Sequence, residues 1–180
     1  GQIPSQVNPY KSFESNVVGT LNLLESLRRY SGATKLLLAS SRLEYGKPQH
    51  LPVDENHPTA PISFYGIDRL TSSMYALHYS KTYGMPVVVF RISNVYGPHP
   101  AFHFMHYNVI NSFIDSALKK KTLTIFGKGL QIRDYFFIDD LTEALLLAGA
   151  NKRANSQIYN VGYGKPITFN KMVKIIALRA

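Results

Sequence analysis

The 180-residue sequence predicts an α/β protein built on a parallel sheet. Two short runs are apolar without interruption, Leu36-Leu37-Leu38-Ala39 and Val87-Val88-Val89-Phe90. Strands buried on both faces read this way, because neither face meets water. Helical periodicity lies before, between and after these runs, so strands and helices alternate along the chain.

The first helix is expected from about Pro9 to Tyr30, where Val17, Leu21, Leu24 and Leu27 recur three and four apart. The residues before it read as a loop, and Gly32 reads as its C-cap. A strand follows over 35–40, then a Pro-rich polar loop over about 46–63. A second helix is expected from Tyr65 to Tyr83, stopping at Gly84, and a second strand over 86–92. A third helix is expected over about 105–120, where Lys119-Lys120-Lys121 would complement the dipole at its end. Leu123–Phe126 and Arg133–Ile138 read as extended runs that Gly127-Lys128-Gly129 could join into an antiparallel pair. Asp139 or Asp140 then caps a helix to Ala150, Ile158–Val161 forms a strand, and Thr168 caps a last helix.

Composition excludes several classes. With 45% hydrophobic and 17% charged residues the chain can bury a core. It has no cysteine, so disulfides and thiolate metal sites are ruled out. No apolar run reaches the ~18 residues of a membrane span, and the start of the chain has no signal-peptide pattern. No membrane partner is therefore expected, and a cytoplasmic location is. The net charge of +9 is scattered, so a phosphorylated ligand fits it better than nucleic acid. His99, His103 and His106 could share a helix face, but no carboxylate stands near as a fourth ligand, and no metal site is expected. Asp54-Glu55 reads as solvated.

The chemistry concentrates at Ala39-Ser40-Ser41-Arg42-Leu43-Glu44-Tyr45-Gly46 and Phe64-Tyr65-Gly66-Ile67-Asp68-Arg69. Tyr65 and Arg69 are four apart on a helix and share a face. Ser41 ends a strand, and ligands of doubly wound folds bind beyond the carboxyl ends of strands.

This pattern resembles the Ser…Tyr-x-x-x-Lys site of extended short-chain dehydrogenases/reductases. Further segments are similar to the nucleotide-sugar epimerases and dehydratases of that family. They are Asn16-Val17-Val18-Gly19-Thr20-Leu21-Asn22-Leu23-Leu24, Arg91-Ile92-Ser93-Asn94-Val95-Tyr96-Gly97-Pro98, Arg133-Asp134-Tyr135-Phe136-Phe137-Ile138-Asp139-Asp140 and Tyr159-Asn160-Val161-Gly162.

The resemblance implies a partial Rossmann-type doubly wound sheet over 1–97. It implies a small substrate-binding lobe over 98–180, with a strand near 157–161 returning to the sheet. No Gly-rich dinucleotide turn occurs, so a βαβαβ unit of about 80 residues is expected to be missing, and this chain alone is not expected to hold NAD. The implied cofactor is NAD, the substrate a nucleoside-diphosphate sugar and the assembly a homodimer through the two helices that begin near Tyr10 and Phe64.

By the same resemblance Tyr65 is the acid/base, Ser41 hydrogen-bonds the sugar hydroxyl, and Arg69 supplies charge and cofactor contact. Asn16, Ser40 and Ser93 join Tyr65 and Arg69 in holding NAD. Asn94 and Arg133 face the diphosphate beside Ser41's sugar.

Two departures matter. Arg69 replaces the family's lysine. A phenol ordinarily titrates near 10, so proton abstraction near neutrality needs a cation beside it. At ~4 Å and an effective dielectric near 20 a cation is worth about 4 kcal/mol as a ceiling. Arginine supplies that charge, but it is longer and planar, so retained cofactor contact and reduced turnover are expected. Arg42 and Leu43 stand where the dehydratases carry an acidic pair, which favours epimerisation over a dehydratase. Glu44 is expected to point away from the sugar. A non-catalytic nucleotide- or partner-binding role is the other alternative.

Overall fold

The computed structural model describes residues 1–98 and 109–179. The expected histidine cluster and the start of the third helix lie outside these residues. The chain divides into two units, Gly1–Ile92 with Glu143–Val161, and Ser93–Thr142 with Gly162–Ala180.

The first unit carries a parallel sheet of β1 (Leu36–Ser41), β2 (Val87–Ile92) and β6 (Gln157–Val161), in the order β1-β2-β6. Alternation along β2 sends its side chains to two cores. Val87 and Val89 pack with Leu24, Ala76, Tyr79 and Met85, beneath α3 (Gly19–Tyr30) and α4 (Phe64–Tyr83). Val88 and Phe90 pack with Ala148 and Ala154, on the face covered by α6 (Ile138–Ala150). Double coverage is why β2 reads as an unbroken apolar run.

Helix α4 starts on Ser63, whose Oγ accepts from the Gly66 N–H at 3.1 Å, and stops at Gly84 in the left-handed conformation. The first expected helix is interrupted. Residues α2 (Pro9–Phe13) and α3 are joined by a π-helical turn, Glu14–Val18, in which the Gly19 N–H bonds the Glu14 carbonyl. Three corrections fall here. Residues Gln2–Val7 form a helix, α1, rather than a loop. Gly32 is not a left-handed cap, since α3 already ends on Ser31 and Gly32 has no positive φ. Asp139 and Asp140 lie inside the first turn of α6 rather than before it.

The second unit holds α5 (Val109–Leu118), α7 (Phe169–Arg179) and two small sheets. Strand β3 (Asn94–Tyr96) pairs parallel with β5 (Tyr135–Phe137). Strand β4 (Ile132–Arg133) pairs antiparallel with β7 (Ile167–Thr168). Ile110, Phe169 and Met172 form its core. The expected antiparallel pair is thus overturned. Residues 123–126 are not a strand, and the run from Arg133 divides between two sheets at Asp134. The Asp134 carbonyl accepts from the Asn94 N–H (3.3 Å), and its Oδ2 accepts from the Gly164 N–H (3.0 Å). Thr168 caps α7 through Lys171 N–H at 3.3 Å.

Candidate functional site

Ser41 closes β1 and is half-buried. Its Oγ accepts from the Leu43 N–H at 3.2 Å and so opens the 3₁₀ turn Arg42–Glu44. A hydroxyl that accepts keeps its own proton to donate. Tyr65 sits in the first turn of α4, half-buried. Gly66, beside it, would carry a Cβ only 2.6 Å from the Leu43 carbonyl oxygen, so α4 begins hard against the turn that follows Ser41. The turn after the strand end and the helix start therefore meet.

Arg69 lies one turn beyond Tyr65, its guanidinium carbon 5.9 Å from the phenol ring centroid. Its Nη1 donates to Asn16 Oδ1 at 3.2 Å. Asn16 lies in the π-helical turn. The Asn16 carbonyl in that turn also accepts from Thr20 Oγ1 (2.6 Å) and Ser72 Oγ (2.9 Å). The Asn16 amide nitrogen donates to the Ser12 carbonyl at 2.9 Å, which fixes its oxygen toward Arg69. Ser12 Oγ in turn donates to Asp68. Asn16, Tyr65 and Arg69 are thus one cluster. Arg69 Nε is buried without a hydrogen-bond partner. An orphaned donor beside a phenol suits an acceptor such as a ribose hydroxyl, so these residues fit a nicotinamide nucleotide.

Ser40 is a correction. Pleating turns it opposite to Ser41, and it is buried. Its hydroxyl donates to Glu44 Oε1 and stands 3.1 Å from Ser73 Oγ, so this side chain is turned into the fold.

In the second unit Ser93, Asn94 and Arg133 line one cleft of about 460 Å³ with Phe126, Gln131 and Tyr135. Asn94 Nδ2 and Ser93 Oγ both donate to the Asp134 carbonyl, at 2.9 and 3.0 Å. Arg133 is exposed and lines the cleft, and its Nη1 donates to the neighbouring Ile132 carbonyl at 2.8 Å. Ser93 therefore groups with Asn94 and Arg133.

Sequence reasoning missed one ion pair. Glu44 is fully buried and receives Arg91 Nε at 2.7 Å. Burial by itself lowers the Arg91 pKa, but hydrogen bonds with Tyr45 and Glu44 reverse this and leave it raised. The available signal was the charge inside Val-Val-Val-Phe-Arg-Ile, since a buried strand cannot keep an unpaired cation. Among the described residues no group of three or more acidic or histidine side chains could hold a metal, and no helix is long and apolar enough to cross a membrane.

A parallel α/β sheet with serine at a strand end, and tyrosine and a cation one helical turn apart beside it, defines the extended short-chain dehydrogenase/reductase class. The chain belongs to the NAD dependent epimerase/dehydratase family, whose model matches residues 4–162. It is 38% identical over 171 residues to a putative UDP-glucose 4-epimerase of Methanocaldococcus jannaschii, covering 94% of this chain and 54% of the relative. The solved UDP-glucose 4-epimerase of Thermotoga maritima, with UDP-glucose, superposes with a TM-score of 0.88 at 31% identity, over 97% of this chain and 56% of that one. A dTDP-glucose 4,6-dehydratase of Bacillus anthracis in complex with NAD gives 0.83 at 32% identity, over 92% and 52%. The chain spans about half the length of the curated relatives it matches.

Proposed function

We propose that the protein epimerises a nucleoside-diphosphate sugar, a UDP-sugar first among them, by transient oxidation of one ring carbon to a ketone. The observation that carries this is the Asn16–Arg69–Tyr65 cluster beside the turn opened by Ser41. NAD, when bound, supplies the acceptor and later the donor of hydride. Ser41 donates its free proton to the sugar oxygen and orients it. Tyr65 takes the hydroxyl proton during oxidation and returns it on reduction. Arg69 holds positive charge beside the phenol and keeps Nε for a ribose hydroxyl. Arg133 offers its fork to the diphosphate, with Asn94 beside it. Arg42 and Leu43, directly after Ser41, provide no acid/base pair for losing water, which favours epimerisation over dehydration.

The test is interconversion of UDP-glucose and UDP-galactose by the complete gene product with NAD, compared with Y65F. Turnover that drops about a thousandfold in Y65F supports the reading, and unchanged turnover ends it. Arg69 motivates the second reading, a nucleotide-binding member without turnover. Tight NAD and UDP-sugar binding by a protein inert both as wild type and as R69K favours that role.

A homodimer through α3 and α4 belongs to the same reading. Leu23, Phe64, Ile67 and Met74 on these helices are large, apolar and exposed. Sedimentation equilibrium is expected to give a dimer, and M74E a monomer. A monomeric wild type removes this part.

A further inference from the structure

Glu44 has 0% exposure and stands in the turn three residues after Ser41. Its carboxylate is held from three elements. Ser40 on β1 and Ser73 on α4 donate to Oε1, and Arg91 on β2 donates to Oε2. Arg91 Nη1 continues to Tyr45 Oη at 2.8 Å and the Glu55 carbonyl at 3.2 Å, and Tyr45 Oη donates to Asn160 Oδ1 on β6 at 2.8 Å. Taking both ions out of water costs more than packing apolar side chains of the same volume would. An ion pair adds direction, since each oxygen accepts from a fixed donor. Strand β1 pairs with β2 along its whole length, and its last pair is Ser41 with Ile92. The residues on either side of Ser41 are the ones tied down.

We propose that Glu44 is a positioning residue for Ser41, its buried carboxylate anchoring the turn to Arg91 and Ser73 so that the Ser41 hydroxyl meets the sugar in one orientation. Its catalytic consequence rests on the epimerase reading above. The anchoring itself does not.

The anchoring is tested in the complete gene product by amide hydrogen exchange of E44Q, which keeps the size and turns an N–H₂ or a weaker acceptor toward Arg91. The Leu43 N–H bonds Ser41 Oγ and the Tyr45 N–H bonds the Arg42 carbonyl. Both amides are expected to exchange about tenfold faster, with the β2 amides unchanged within about twofold. No acceleration at Leu43 and Tyr45, or an equal one throughout β2 and α4, overturns the proposal. If E44Q does not fold, E44V/R91M removes both charges and is read in the same way.

In the complete gene product, kcat of E44Q is expected to fall about tenfold with KM for the UDP-sugar within about twofold. S41A is then expected to cost much less in the E44Q background than in the wild type. Losses from S41A and E44Q that simply multiply, or a change confined to KM, overturn it. A wild type without turnover counts against the epimerase reading alone, and the exchange pattern still decides the anchoring.

Discussion

Gly66 on α4 lies so close beneath the carbonyl of Leu43 that a methyl group there would stand 2.6 Å from the oxygen and 3.0 Å from Pro61 Cβ. Gly66→Ala should therefore push the start of α4 away from the turn after Ser41. Alanine favours helix by about 1 kcal/mol over glycine, yet a backbone clash of this kind costs about 1–3 kcal/mol. A net loss of stability in urea melts, and a fall of about tenfold or more in turnover, are expected. A variant as stable and active as the wild type would show that the contact sets nothing.

Arg69 fills the place of the family's lysine and reaches Asn16 directly. Arg69→Lys shortens the side chain and replaces a planar fork by a single ammonium. Turnover is expected to rise about three- to tenfold, because a compact cation comes closer to the phenol oxygen. Asn16→Ala should lower turnover in the arginine protein by a similar factor through loss of that anchor. Steady-state kinetics of the two single variants and the double variant check both statements.

Arg133 is exposed on β4 and lines the cleft of the second unit. Its interaction with a diphosphate would be the same in ground state and transition state. Arg133→Ala should then raise KM about ten- to a hundredfold and leave kcat within about threefold. Arg133→Lys should recover part of that loss, since charge returns without the fork. An effect confined to kcat would place Arg133 elsewhere in the mechanism.

Glu25 accepts from Arg28 and Tyr79, and these hydrogen bonds, that from Arg28 foremost, lower its pKa from 4.5 to about 2. A carboxylate depressed by folding stabilises fully above its ordinary pKa and loses this as pH falls through the folded value. The difference in stability between wild type and E25Q should hold at pH 6 and shrink from pH 4.5 toward about 2. The same bond raises Tyr79 from 10 to about 12, so the Y79F difference should hold below pH 10 and vanish between 10 and 12. Urea melts at several pH values measure both. A Glu25 effect constant from pH 6 to 2 would contradict the first.

The elements that sequence located best are those with local, periodic causes. The strands expected over 35–40 and 86–92 form at 36–41 and 87–92; β2 is buried on both faces and β1 in part. Helix α4 stops at Gly84 as expected, because a left-handed glycine cap acts within one turn, whereas its Ser63 cap is a finding of the structure. Elements with distant causes were missed. Residues 132–137 look like one extended run, yet Arg133 pairs with Ile167 and Tyr135 with Asn94, and only their partners reveal two sheets. The π-helical turn at Asn16 has no local sequence signal, and one partner of its carbonyl, Ser72, lies 56 positions away.

By itself the sequence determined an α/β protein, two apolar strands, and a serine, tyrosine, arginine and asparagine in the order and spacing of a nucleotide-sugar enzyme. Those features depend on side-chain periodicity and residue type, which the chain carries within a few turns of itself. Tertiary structure alone decided that Ser40 turns inward, that Glu44 is buried on Arg91 47 positions away, and that Asn16 holds Arg69. A charge or hydroxyl acquires its partner only when distant segments pack, and desolvation then makes that partner obligatory.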